Sequence, residues 1–167
     1  MNERLATALR ATEWLALVLL GLMAGFFFAF AVDVAPAMAQ LNAHAYITTQ
    51  QWSNRVVRNA LFGAVYFGSA LAPWMAAGVA LRAGERARAL VWALIAVAYG
   101  LAVFWLTRTV NVPINDALAD WRPDQPPADW AALRARWNAA NAVRAWASAI
   151  CFGVAAWLAA APRRANV

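Results

Sequence analysis

Two small sets of polar side chains recur at helical spacing in a chain that is otherwise strongly apolar. Gln51, Asn54 and Arg58 stand at i, i+3 and i+7, and Trp137, Asn141 and Arg144 at i, i+4 and i+7. Each set therefore shares one face of a helix. A third pair, Asn111 and Asn115, brackets Pro113. Amides and guanidiniums are hydrogen-bond donors, and arginine adds a full charge. Gathered in a low-dielectric site, they suit an anion or an enolate, with Arg144 and Arg58 stabilising developing charge. Asn111, Asn115 and Asn141 would orient ligand oxygens, Gln51 and Asn54 would add contacts, and the Trp137 ring would stack on a flat aromatic ligand. A general base is harder to find; His44 and Asp33 are the candidates.

Other chemistries find little support. His44 is the sole histidine and Cys151 the sole cysteine, so no zinc or disulfide pattern exists. Serine-hydrolase, phosphate-loop and dinucleotide fingerprints are absent as well. The expectation is no bound metal and no cofactor.

The elements that must carry these residues follow from composition. Of 167 residues, 64% are hydrophobic and 13% charged, with positive mean hydropathy. Soluble domains are about 45–50% apolar and about 25% charged, so lipid has to cover this surface. All 14 basic residues are arginine, and eight acids leave a net charge of +6. The arginines flank apolar runs, where they anchor helices at headgroups; nucleic acid is not the expected partner. The Ala- and Arg-rich, Lys-free usage points to a bacterial protein.

Crossing about 30 Å of hydrocarbon takes about 20 helical residues. Apolar runs place four spans near residues 14–34, 55–81, 87–109 and 138–161. The last helix is expected to begin earlier, near Trp130, and helix three to break at Pro113. Gly21 and Gly25 form a small-xxx-small step that permits close approach. The fold expected is all-α, an integral membrane four-helix antiparallel bundle forming one domain over residues 1–167. The partners expected are the bilayer, an aromatic small molecule and further copies of itself.

Laying the spans antiparallel brings Asp33, Gln51, Asn54, Arg58, Arg108, Asn111, Asn115, Asn141 and Arg144 to one membrane face. The opposite end shows only arginine anchors. Two readings of the cluster stand: the side chains cap broken helix ends, or they line a cavity into which helices two and four point positive N-terminal dipoles.

The ordered segments resemble a known family. Gly25-Phe26-Phe27 through Pro36, Gln51-Trp52-Ser53-Asn54, Val110-Asn111-Val112-Pro113-Ile114-Asn115, and Arg136-Trp137 through Asn141 and Arg144 are similar to the anthrone-oxygenase-like family of small four-helix membrane proteins. The pattern is a Pro after helix one, Gln-x-x-Asn before helix two, V-N-x-P-x-N after helix three, and W-x-x-x-N-x-x-R opening helix four. The resemblance covers nearly the whole chain. It implies oxidation of a flat phenolic or quinol-type substrate with dioxygen, as assigned fungal relatives do with anthrones. Many bacterial relatives carry His directly after the helix-four Asn, where this chain has Ala142. Fold alone does not carry chemistry across. A non-enzymatic membrane module binding a ligand or partner is the rival, and a transporter is disfavoured by the lack of polar residues at mid-membrane depth.

Arginines divide evenly between the two sides. Arg4, Arg10, Arg82, Arg86, Arg88, Arg163 and Arg164 fall on one, and Arg55, Arg58, Arg108, Arg122, Arg134, Arg136 and Arg144 on the other. The first set sits in short tails and a short turn, which weigh most in the positive-inside rule. Both termini are expected on the cytoplasmic side of a bacterial inner membrane. Cysteine labelling in intact cells is then expected to leave residues near Gly84 protected and modify residues near Pro126; the reverse pattern would invert the orientation.

Overall fold

In hydrocarbon every backbone polar group must be satisfied within the chain, which leaves helices as the economical solution. A computed structural model describes residues 3–161; Arg163 and Arg164 lie outside the described residues. Five helices form: α1 (Glu3–Ala39), α2 (Ala43–Val57), α3 (Ala60–Arg82), α4 (Arg86–Ala119) and α5 (Trp130–Ala160). All but α2 are long and apolar enough to cross a membrane. The chain is an all-α, multi-pass membrane protein.

The long helices pack in a ring, α1 against α3 and α5, α3 against α4, and α4 against α5. Direction follows from side-chain neighbours. Leu9 near the start of α1 clusters with Ala80 at the end of α3 and Ala89 at the start of α4. Arg88 at the start of α4 donates to the Leu158 carbonyl at the end of α5. Neighbours in the ring are therefore antiparallel. The faces between helices are rich in small residues, with Ala72, Ala76 and Ala80 of α3 fully buried; this lets backbones approach closely. Large residues such as Leu61, Trp105, Trp146 and Trp157 point outward. Of the two glycines of α1, only Gly21 sits at a close approach, where an added Cβ would meet the Phe152 ring at 2.9 Å.

Helix ends differ from the sequence expectation in an instructive way. Neither Pro36 nor Pro113 stops its helix. Each is preceded by wide π turns, at Phe30–Val34 in α1 and at Gly100–Trp105 and Thr107–Asn111 in α4. A proline lacks an N–H and crowds the carbonyl four residues back; a π turn redistributes the local ladder, so the helix continues. The spans thus outrun the apolar runs. Helix α5 does begin at Trp130. The expected second helix is two helices: α2 ends at Val57, and Asn59 caps α3 by accepting from the Phe62 N–H at 2.9 Å. Asn42 caps α2 likewise through Ala45 N–H. Between α3 and α4 the chain reverses on Gly84, at φ 79°. The Gly84 and Glu85 N–H groups bond back to Leu81 and Ala80 carbonyls at 3.1 and 3.0 Å, a glycine-dependent helix stop.

The end bearing the α3–α4 turn holds more than anchors, contrary to expectation. Glu13 and Arg88 are buried there, with Arg88 Nε donating to Glu13 Oε1 at 2.9 Å. Trp92 Nε1 donates to the same oxygen at 3.1 Å. Arg88 also reaches the Leu158 and Ala161 carbonyls, closing the end of α5. One ion pair thereby joins α1, α4 and α5. At the opposite end α2 is held by Tyr46 and Ile47 against Met38 and Leu118. The Arg134 guanidinium lies over the Tyr46 and Trp130 rings. Burial pushes the Tyr46 phenol up to about 12, with Arg134 pulling the other way.

Breaking a buried pair strands a charge. Glu13→Gln is expected to lower stability by about 3–5 kcal/mol, read as a drop in detergent melting temperature. Glu13→Leu with Arg88→Met should recover only part of it, because the Leu158 and Ala161 carbonyls lose their donor.

Candidate functional site

At the loop-side end, the ring of helices leaves a cavity of about 210 Å³. Its walls are aromatic, from Phe26, Phe27 and Phe30 of α1, Phe62 and Tyr66 of α3, and Trp137 of α5. Polar groups enter from three helices: Gln50, Asn54 and Arg58 at α2 and its C-cap, Thr107 and Asn115 of α4, and Asn141 and Arg144 of α5. A second, more polar recess of about 300 Å³ adjoins it and shares Asn54, Arg58 and Asn115, adding Gln51 and Arg55. Of the residues singled out by spacing, Asn54, Arg58, Asn115, Trp137, Asn141 and Arg144 therefore meet in one cavity, with Gln51 in the adjoining recess.

Arg144 is the centre of it. The side chain is buried, yet no ion pair reaches it among the described residues. Nη1 donates to Thr107 Oγ1 at 3.1 Å and Nη2 to Asn141 Oδ1 at 2.9 Å, while Nε has no partner. The guanidinium carbon lies 4.7 Å from the centroid of the Phe27 ring and 5.3 Å from that of Trp137, which offsets part of its desolvation. Asn141 Nδ2 and Asn54 Nδ2 are buried donors without acceptors. A charged group and unmatched donors within aromatic walls are what an anionic or enolate oxygen on a flat ring would satisfy.

Other members of the expected cluster act on backbone. Gln51 Nε2 donates to the carbonyls of Leu118 and Trp121, at 3.0 and 2.9 Å, capping the end of α4. Asn111 Nδ2 donates to the Trp137 carbonyl at 3.2 Å. Asn115 positions Trp137, accepting from its indole Nε1 at 2.8 Å. Arg58 sits at the rim and pairs with Asp116 at 3.1 Å. Both readings of the cluster thus hold, each for different residues. The dipole argument needs revision: α3 does start beside the cavity, but α5 starts at Trp130, so Trp137, Asn141 and Arg144 lie well inside it rather than at its N-terminus.

Asp33 and His44 do not line the cavity or the recess. Asp33 is exposed in the π turn of α1. His44 is exposed at the start of α2 and pairs with Asp124 at 2.9 Å. Among the described residues no three His, Cys, Asp or Glu side chains converge as metal ligands. Residues the sequence did not single out include Gln50, which donates to Asn54 Oδ1 at 3.1 Å, Tyr66 and Thr107. The available signal for Tyr66 was its i, i+3 spacing from Ser69 on the inward stripe of α3.

A family model described as anthrone oxygenase matches residues 52–154, more than half of the chain. No curated protein and no solved structure matches it. The matched segment contains Asn54, Arg58, Tyr66, Thr107, Asn115, Trp137, Asn141 and Arg144, and excludes Asp33 and His44.

The division between capping and cavity residues is measurable. Gln51→Met strips two carbonyls of their donor and is expected to lower stability by about 1–2 kcal/mol, read from detergent melts; an unchanged melt would remove Gln51 from its capping role.

Proposed function

The chain belongs to the anthrone oxygenase family, and from that premise we propose that it is a bacterial inner-membrane oxygenase whose substrate is a flat phenolic carbon acid of the anthrone or quinol type. The termini lie in the cytoplasm and the cavity opens toward the outer face, as the short basic segments suggest. The observation that supports the chemistry is Arg144: a buried guanidinium with no carboxylate, its Nε free, set between the Phe27 and Trp137 rings. A charge held in a membrane-spanning bundle is costly and marks a functional site by default. A cavity near 210 Å³ is below the roughly 300–1,000 Å³ of drug-sized pockets and suits a few fused rings.

In the proposed reaction a CH₂ carbon of the ring system loses a proton, and the resulting charge is delocalised onto the ring oxygen. Arg144 and Asn141 stabilise that oxygen. The electron-rich anion transfers one electron to dioxygen, and the radical pair combines to form a C–O bond. The peroxide takes up a proton. Loss of the second C–H proton then drives O–O cleavage, leaving a carbonyl and water. The balance is CH₂ plus O₂ to C=O plus H₂O, with all electrons drawn from the substrate.

Arg144→Gln keeps a side chain of similar reach but removes the charge. We expect a loss of roughly 10²–10³-fold in kcat for anthrone oxidation with the melting temperature little changed. Activity falling only in step with melting temperature would leave Arg144 a packing residue. Wild-type protein that binds an anthrone but never oxidises it would make this a ligand-binding membrane module.

A further inference from the structure

The cavity and its recess are lined by no carboxylate and no imidazole. Carbon-acid chemistry there must therefore be driven by stabilising the anion rather than by a strong base beside the carbon. A guanidinium is one donor for the anion's oxygen; the site holds a second.

Tyr66 lines the cavity from α3. Its ring is clamped, stacked on Phe104 at 4.4 Å and 20° and on Phe62 at 5.7 Å and 14°. The turn that carries it is fixed from behind: Ser69 Oγ bonds to the Tyr66 carbonyl at 2.8 Å and contacts the Tyr99 hydroxyl at 2.9 Å. Tyr66 and Thr107 line the same cavity, and Thr107 Oγ1 accepts from Arg144 at 3.1 Å. The direction of the Arg144–Thr107 bond is fixed. A guanidinium can only donate, so Thr107 Oγ1 accepts from Arg144. The Thr107 proton stays available to acceptors in the cavity, the Tyr66 oxygen among them. The Tyr66 proton needs an acceptor of its own, and the cavity that Tyr66 lines is where one would sit.

We propose that Tyr66 is a catalytic residue, the second oxyanion donor beside Arg144, and that the proton leaving carbon passes to water in the polar recess. The inference rests on the anthrone-type reading above and deepens it. The substrate class narrows accordingly, to ketones whose conjugate base is an aryloxide, with the carbonyl oxygen seated between Arg144 and Tyr66. Such an acid has phenol-like strength, near the ~10 of tyrosine itself, so two short donors in a dry site can bring its ionisation toward neutral pH. Bond by bond, the C–H pair becomes the delocalised anion, the proton joins recess water, and no protein group changes its protonation state. Oxygen then meets the preformed anion.

The test separates ionisation from oxidation. Anthrone is added to the purified protein in nanodiscs without oxygen. Deuterium exchange at its CH₂ carbon and the long-wavelength absorption of bound aryloxide are both followed at fixed pH. Wild type should accelerate exchange and raise the aryloxide fraction. Tyr66→Phe keeps the clamped ring; it should keep its melting temperature and ligand quenching of tryptophan fluorescence, yet lose about 10²-fold in exchange and in aerobic kcat with KM nearly unchanged. Tyr46→Phe removes a hydroxyl outside the cavity and the recess and should stay within a few-fold of wild type. If Tyr66→Phe does not fold, Thr107→Val reads the same chain and should slow exchange by about tenfold, one hydrogen bond's worth. Exchange at the wild-type rate in Tyr66→Phe, or in Thr107→Val where that variant is the readout, overturns the role of Tyr66 and leaves the oxygenase reading standing. Wild type that neither exchanges nor oxidises anthrone overturns both.

Discussion

Hydrocarbon offers no hydrogen-bond partner, so a polar group in a bundle of this kind must find one inside the chain or remain a standing cost. The two ends of the molecule answer that constraint in opposite ways. At one, Arg88 is saturated: Glu13 neutralises it, and the carbonyls that end α5 take its remaining donors. At the other, Arg144 meets only neutral acceptors and ring faces, and one of its nitrogens meets nothing. The same residue type is a finished joint in one place and an open valence in the other. That contrast, more than the polarity of the loop-side end as a whole, distinguishes the cavity from the rest of the interior.

Much of this was legible from residue types and spacing because membrane helices write their lengths in apolar runs. Asn54, Arg58, Asn115, Trp137, Asn141 and Arg144 were found because each breaks an apolar pattern at a helical interval, and they do share a wall. Gln51 shows where the method stops. It sits on the same helix as Asn54, but Gln51 faces the carbonyls of Leu118 and Trp121 whereas Asn54 keeps a donor free. The difference is one of neighbours separated by more than sixty residues of sequence, which periodicity does not encode. Tyr66 was hidden for another reason: within a run of Phe, Val and Leu, its ring reads as one more apolar side chain, and only packing shows where the hydroxyl points.

The prolines teach a related lesson. A proline after an apolar run reads as a stop because its ring removes a ladder bond. In this chain the wide turns ahead of Pro36 and Pro113 absorb that defect, and the helix carries on past it. Through the second of these, Asn111 and Asn115 stay on one continuous helix, one bonded to the Trp137 backbone and the other to its indole. The stacking face of Trp137 is thus fixed by α4 from two sides. Sequence alone gives the residues of that arrangement, whereas the rotation that aligns them comes from the π turns.

The Glu13–Arg88 joint also has a bearing on how the protein is made. A membrane chain is inserted from its N-terminus onward, and Glu13 emerges 75 residues before the arginine that neutralises it. During that interval the acid precedes both the guanidinium and the Trp92 indole that bond it in the finished bundle. Two of the bonds that seat α1 at this end therefore wait for α4. The final seating of the first span thus depends on the third, which ties the two halves of the bundle together at this end.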